Sequence, residues 1–517
     1  MIKRSLQHIV VLGGGSAGWL TAGLIAAEHP NLTVTLIESP NIATIGVGEG
    51  TWPSMRNTLK RIGINELEFL KRCDASFKQG SKFIGWRTAE VNDSYYHPFM
   101  VPEGYVQTNL HYAWQTLAKE QPFAAAVNVQ ASVCDKQLAP KQASTPEYAA
   151  VTNYGYHLDA AKFAELLAQH CCTSLGVNRV LDEVVNVTSS DNGDIKALTT
   201  QEHGDIDGDL FIDCSGIRSR LLGEHYQVPM QPKADVLAND RALGVQIAVT
   251  DPMSEIESTT LATAQRAGWI WQIGLPNRLG IGYTYASQYE TEASARQVLE
   301  NYLSQSHNLS AQAIAELMIR PLSFTPGYRQ QFWKNNCVAV GMAAGFIEPL
   351  EASALAMVEL SASMLSEQMP VDRDHMQALA QRFNSRFQYR WERVIEFLKL
   401  HYVLSQRNEP YWLAQRARES IPPRLLQQLQ LWQYQPPSRF DFVENEEIFS
   451  SASYQYVLYG MGFNTLVDAS SALNHPQAAQ HFIALNKKKM ASFNAGLPSN
   501  RDLLRTLLKT KTKETNL

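Results

Sequence analysis

The chain has 517 residues, 45% hydrophobic and 18% charged, with 45 Lys and Arg against 50 Asp and Glu for a formal net charge of -5. This describes an ordinary globule too long for one small core, so two intergrown lobes are expected. The mild acidity gives no reason to propose a nucleic-acid or anionic-membrane partner, and no apolar run is long enough to span a bilayer. Six scattered cysteines, Cys73, Cys134, Cys171, Cys172, Cys214 and Cys337, form no C-x-x-C pair and no metal-ligand spacing. Reduced thiols, no metal and a cytoplasmic location follow as expectations, and Ile9–Leu12 is too short for a signal peptide's apolar core.

In chain order, Ile9-Val10-Val11-Leu12 reads as a buried strand, Gly13 to Gly18 as a turn, Trp19 to Glu28 as a helix, and Leu32 to Leu36 as a second strand ending at Glu38. The stretch from Leu110 to Pro146 carries few signals and is left without assigned elements. Strand-like runs follow from Val180 to Gly216 around a turn at Asp191-Asn192-Gly193. From Ser353 to about Gln435 long helical stretches dominate, broken at Pro422-Pro423 and stopped at Pro436-Pro437. The mildly basic end from Arg501 to Leu517 reads as a frayed tail, and vicinal Cys171-Cys172 as helix residues facing a core. The fold class expected is α/β, with a dinucleotide-binding module over 1–360 holding inserted substrate-site segments, and a mainly helical lobe and tail over 361–517.

Gly13, Gly15 and Gly18 fit G-x-G-x-x-G, with Ser16 and Ala17 completing the loop. The first glycine permits the tight turn, the second lets backbone approach a pyrophosphate, and the third lets helix and strand pack closely. Helix N-terminal amides then face the phosphates, and Glu38 closes the second strand where an acid accepts from a ribose hydroxyl. The run Gly208 to Gly216, with Asp213, resembles a strand recurrent in FAD enzymes of the glutathione-reductase and hydroxylase type. Val338 to Gly345, with Gly341, resembles their later flavin contact, although Met342 stands where many of them have Asp. FAD is therefore expected, and no second glycine fingerprint for NAD(P)H is found.

Taken with Ile45-Gly46-Val47-Gly48-Glu49-Gly50-Thr51, Phe77-Lys78, Lys82-Phe83, Tyr96-His97, Gly268-Trp269-Ile270-Trp271, Ile347-Glu348-Pro349-Leu350-Glu351, His401-Tyr402 and Leu497-Pro498-Ser499-Asn500, the chain resembles the flavin-dependent tryptophan halogenases along almost its whole length. The resemblance implies reduced FAD, O2 and chloride or bromide as co-reactants, hypohalous acid as the oxidant, and a separate flavin reductase as the source of reduced FAD. It implies Lys78 as the amine that aims the halogen at one ring carbon. Glu351 is implied as the acid that polarises the oxidant or takes the ring proton, with Glu348 structural. It further implies Ser353 and Ala354 at the halide site, Gly46 to Thr51 (with Val47, Gly48 and Glu49) as a strap across the flavin, and His97 and Phe99 against the substrate ring. Ala354 stands where the family often has Gly. Lys82, one helical turn after Lys78, reads as a solvated cation, and His401 is left out of catalysis.

Two departures matter. The family's W-x-W-x-I-P becomes Trp269-Ile270-Trp271-Gln272-Ile273-Gly274, with Pro276 displaced; on a strand the two indoles share a face and read as core packing. Phe440 to Tyr454 is several residues shorter than the aromatic-rich lid of free-tryptophan halogenases and lacks its paired tyrosines. A buried zwitterion needs partners for both charges, so a more open site is expected, taking indole, another electron-rich heteroaromatic or phenol, or an aromatic presented on something larger, rather than free tryptophan. Phe449 is the candidate stacking residue. A flavin monooxygenase that hydroxylates an aromatic and a non-catalytic flavin- or aromatic-binding protein are the competing readings. A homodimer is the base-rate oligomer.

Overall fold

The computed structural model describes residues 6–42, 46–90, 92–444, 447–466 and 474–510. Contacts divide the chain into two compact units of three stretches each. The first comprises Met1–Ala75, Leu158–Lys233 and Phe324–Glu392; the second comprises Ser76–His157, Ala234–Ser323 and Arg393–Leu517.

The first unit is built on a six-stranded sheet in the order Trp333–Lys334, Cys337–Ala339, Leu210–Asp213, His8–Leu12, Thr33–Glu38, Asn178–Leu181. All neighbours pair parallel except the Trp333–Lys334 edge. The central strands are apolar on both faces, as a sheet covered on two sides requires: Ile9, Val10 and Val11 are fully buried, as are Leu210, Phe211 and Ile212. The first crossover helix, Ser16–Glu28, is apolar nearly all round because it packs against helices Ala160–Ser174 and Ser353–Glu367. Cys171 lies in that packing, its thiol near the Trp19 carbonyl at 3.6 Å, while Cys172 is half-buried. An antiparallel meander, Val184–Ser189, Ile195–Thr200 and Gly204–Asp207, turns at the expected Asp191-Asn192-Gly193. The α/β class and its Rossmann-like core are as the sequence suggests.

The second unit carries a seven-stranded sheet in the order Arg320–Ser323, Arg241–Ala248, Arg278–Tyr285, Gly268–Gly274, Thr260–Gln265, Gly80–Ile84, Ser94–Pro98. Only Thr260–Gln265 against Gly80–Ile84 is parallel. One face buries Leu243, Val245, Ile270, Ile281 and Tyr283 beneath Ala295, Leu299 and Leu303 of helix Glu292–His307. The two indoles share a face, 6.2 Å apart, and a Cβ at Gly282 would fall 2.0 Å from the Trp271 ring, so that glycine makes room for it. Both tryptophans are buried core residues.

Three expectations are corrected. Leu110 to Pro146 holds short helices, Leu110–Leu117, Phe123–Val127 and Val129–Asp135, two of them capped by Asn109 and Asn128. The segment from Arg501 lies in helix Asn500–Thr510 with Leu503 and Leu504 buried, so it is no frayed tail; 511–517 fall outside the described residues. Lys78 and Lys82 do not share a helical face. They belong to strands Ser76–Lys78 and Gly80–Ile84, separated where Gly80 adopts φ +149° beside the His97 carbonyl.

Candidate active site

In the first unit the glycine loop is shaped by contacts that no side chain tolerates. A Cβ at Gly13 (φ +119°) would lie 2.2 Å from the Cys214 carbonyl oxygen, and one at Gly18 would lie 1.8 Å from the Gly13 oxygen. At Gly15 a Cβ would meet nothing within 4 Å. Gly15 is also the N-cap of helix Ser16–Glu28, and among the described residues no side chain caps the first-turn amides of Ser16 and Ala17. Open space in front of uncapped amides fits a diphosphate. Gly341 (φ +69°) approaches the same helix start, its notional Cβ 2.8 Å from that of Ala17.

Glu38 ends its strand over this loop. Its carboxylate accepts from the Trp19 indole at 3.3 Å and pairs with Arg179. Asp213 is fully buried and its carboxylate accepts from the Ser215 amide and hydroxyl, the Ser219 hydroxyl, and the Leu221 and Leu222 amides. Its oxygens are engaged by its own loop and fix the backbone of 215–222. Gly46 packs tightly, a Cβ there reaching 2.7 Å from that of Ala160, and Gly48 has φ +152°. Val47 and Glu49 are half-buried between these glycines and the buried Thr51; Ile45 lies outside the described residues.

The same unit holds Glu351, 6% exposed, in a short 3-10 turn, Leu350–Ala352. Glu351 (φ 63°, ψ 7°) and Ala352 (φ 53°, ψ 44°) are consecutive left-handed non-glycine residues, a costly arrangement that surrounding contacts must hold. Helix Ser353–Glu367 opens directly afterwards with no side-chain cap, leaving its first-turn amides to other acceptors; Ser353 is buried and Ala354 exposed. Glu348 is buried as well.

In the second unit Lys78 ends strand Ser76–Lys78 at 1% exposure, its ammonium 5.5 Å from the centre of the Phe99 ring. Antiparallel pairing sets Lys78 opposite Gly155 and Ser76 opposite His157, so His157 shares the Lys78 face. His157 is fully buried; Nε2 meets the Thr260 hydroxyl at 2.9 Å, and among the described residues Nδ1 has no hydrogen-bond partner. Burial first, and the Lys78 charge second, hold its pKa well below the usual imidazole value. Lys82, by contrast, is partly exposed and paired with Asp135 at 3.3 Å.

His97 is buried among Phe397, Phe449 and Tyr456, with ring centres 5.4, 6.3 and 6.2 Å away. Phe449 stacks on Phe397 at 3.8 Å. Lys78 with Phe99, and His97 with Phe449, are thus brought together inside one unit. In the stretch 440–454, Asp441 caps its own turn through the Ser438 amide and also accepts from the Trp432 indole. Tyr454 is buried against Phe397, Trp432 and Phe442. Asn445 and Glu446 lie outside the described residues. His401 bonds the Tyr95 hydroxyl through Nδ1 at 2.5 Å in a buried aromatic cluster. Among the described residues no group of three or more His, Cys, Asp or Glu is arranged to hold a metal ion, and no helix is long and apolar enough to cross a membrane.

The tryptophan halogenase family model matches residues 8–475. The chain belongs to the tryptophan halogenase family. This halogenase is similar to the crystal structure of a tryptophan halogenase from Shewanella frigidimarina NCIMB 400, with 48% identity, TM-score 0.95 and 99% of each chain covered. It is 32% identical to tryptophan 6-halogenase SttH of Streptomyces toxytricini, covering 93% of this chain and 94% of that one. The flavin-dependent halogenase Xcc4156 of Xanthomonas campestris matches at 29% identity and TM-score 0.86 over 98% and 99% of the two chains. The chain is accordingly a flavin-dependent halogenase, an oxidoreductase with the α/β fold of the glutathione-reductase and hydroxylase type. Two residues carry no sequence motif that singles them out: His157 in the second unit, found on the Lys78 face only through strand register, and Trp52 in the first, whose indole donates to the Glu351 carbonyl at 2.8 Å.

Proposed function

We propose that this halogenase uses reduced FAD to halogenate a small electron-rich aromatic such as indole, with Lys78 as the halogen-transferring residue. The observation that carries the reading is a lysine ammonium removed from water on a short strand, beside an aromatic ring and a neutral histidine. Reduced FAD, when bound by the Gly13 to Gly18 loop, Glu38, the Gly46 to Glu49 strap and the Gly341 turn, supplies hypohalous acid from O2 and chloride or bromide.

The chain's residues have four tasks. The uncapped amides at Ser353 and Ala354 hold halide, which the positive end of a helix favours. Lys78 hydrogen-bonds the hypohalous acid and holds its halogen at one ring carbon; as the carbon–halogen bond forms the O–halogen bond breaks, and the hydroxyl leaves as water with a proton from the ammonium, so that a fixed donor confers the selectivity that free oxidant lacks. Glu351 accepts the proton released as the halogenated ring regains aromaticity. His97, Phe99 and Phe449 offer aromatic surface to the ring.

The preference for a substrate without a zwitterionic tail is supported at Asp441 and Tyr454, whose polar group and ring are committed to the protein's own turn and core. One glycine fingerprint, with none for NAD(P)H, supports delivery of reduced FAD by a separate reductase. The test is incubation with a flavin reductase, NADH, FAD, O2 and bromide or chloride, with indole and free tryptophan as parallel substrates and mass spectrometry as readout. Halogenated indole in excess over halogenated tryptophan is expected. Oxygen added in place of halogen would establish a monooxygenase, and no product in either arm would leave only a binding protein.

A further inference from the structure

We propose that Trp52 is a positioning residue for Glu351; the proposal rests on the role assigned to Glu351 above. The peptide joining Glu351 to Ala352 is pinned at both ends. Its N–H donates to the Pro349 carbonyl at 3.0 Å, and its carbonyl accepts from the Trp52 indole at 2.8 Å. The residues on either side are both left-handed and both carry a Cβ, so the local backbone gains by rotating that peptide out of its present plane. Rotation swings the carbonyl away from the indole and leaves a polar group without its donor.

Trp52 therefore opposes the relaxation, and with it any change in the direction of the Glu351 Cα–Cβ bond and of the amides that open helix Ser353–Glu367. The indole is itself anchored. Two and six residues later, the Ser54 and Thr58 hydroxyls donate to Glu359 on the same helix, at 3.0 and 2.5 Å. The segment is thus tied to helix Ser353–Glu367 by hydroxyls as well as to the turn before it by the indole. Trp52 also directly follows the Gly46 to Thr51 strap, so a movement of the strap's end reaches Glu351 through one hydrogen bond.

Two variants test this: Trp52→Phe, and replacement of Trp52 by β-(3-benzothienyl)alanine, which keeps the ring shape and removes only the N–H. Hydrogen exchange on the cofactor-free protein is expected to run at least about tenfold faster over residues 349–356 in both, with the strands His8–Leu12 and Cys337–Ala339 unchanged. With indole and bromide, kcat is expected to fall about tenfold while KM for indole stays within about twofold, because a displaced proton acceptor impairs the chemical step rather than binding. Wild-type exchange over 349–356 and wild-type kcat in the benzothienyl protein would overturn the proposal, even if Trp52→Phe fails to fold. Glu351→Gln is run alongside. If it keeps wild-type kcat, the role of Glu351 itself is wrong; if it is inactive while both Trp52 replacements match wild type, only the positioning role falls.

Discussion

Glu359 makes the stability of the first unit depend on pH in a direction opposite to most paired carboxylates. It is 3% exposed on helix Ser353–Glu367, and its carboxyl oxygens meet only hydroxyl donors in the bonds described, Ser54 at 3.0 Å and Thr58 at 2.5 Å. Burial dominates over those two bonds and pushes its pKa up to about 7 from 4.5. The folded protein keeps the proton up to about pH 7 whereas the unfolded chain releases it near 4.5. Between those values the folded state binds more protons, so stability is fully present at the acid end and declines as pH rises, levelling off above about 7. A displacement of that size corresponds to roughly 3 kcal/mol for a fully buried group. Glu359→Gln stays neutral at every pH and can still bond both hydroxyls. Denaturant midpoints of wild type and variant are therefore expected to agree near pH 4.5 and to diverge as pH rises, the variant being the more stable by about 3 kcal/mol at pH 8. Parallel profiles across that range, or a variant less stable at pH 8, would refute the assignment of a buried carboxylate cost to this residue.

Two further outcomes are expected. Gly18→Ala places a methyl group where the Gly13 carbonyl oxygen would be 1.8 Å away, backbone that cannot yield without moving the loop, and FAD binding measured by fluorescence quenching should be lost. Phe449→Ala removes a buried ring stacked at 3.8 Å on Phe397 and should destabilise the fold by about 3 to 5 kcal/mol in denaturant unfolding; retained stability together with a raised KM for the aromatic would instead make Phe449 a substrate contact alone.

What the sequence reveals and conceals follows the range of the forces involved. The glycine loop was legible because its constraints are local: strand, turn, helix and terminal acid fall within residues 8–38. The strand from Val184 and its turn were legible because Asp191-Asn192-Gly193 favours a turn locally, whereas strands Ile195–Thr200 and Gly204–Asp207 were not assigned, and the run ending at Ile212 belongs to the parallel sheet. Lys78 reads ambiguously, since three residues of strand offer no periodicity and what makes Ser76–Lys78 a strand is pairing with Gly155–Leu158 far along the chain. The helices of 110–135 are short and held by Asn caps and tertiary packing rather than by an amphipathic repeat. The helix at Asn500 is fastened partly by its own side chain, whose amide donates to the Phe77 carbonyl. Trp52 and His157 had no signal, because an indole reaching a carbonyl 299 residues away and an imidazole aligned by register are properties of the folded chain.

The most direct test of the account is bromination of indole by wild type and Lys78→Met under the same supply of reductase, NADH, FAD and O2, with brominated indole quantified by mass spectrometry and NADH consumption followed in parallel. The variant is expected to consume NADH through the flavin as wild type does and to yield no brominated indole. Brominated indole at the wild-type level and with the wild-type position of substitution would contradict it.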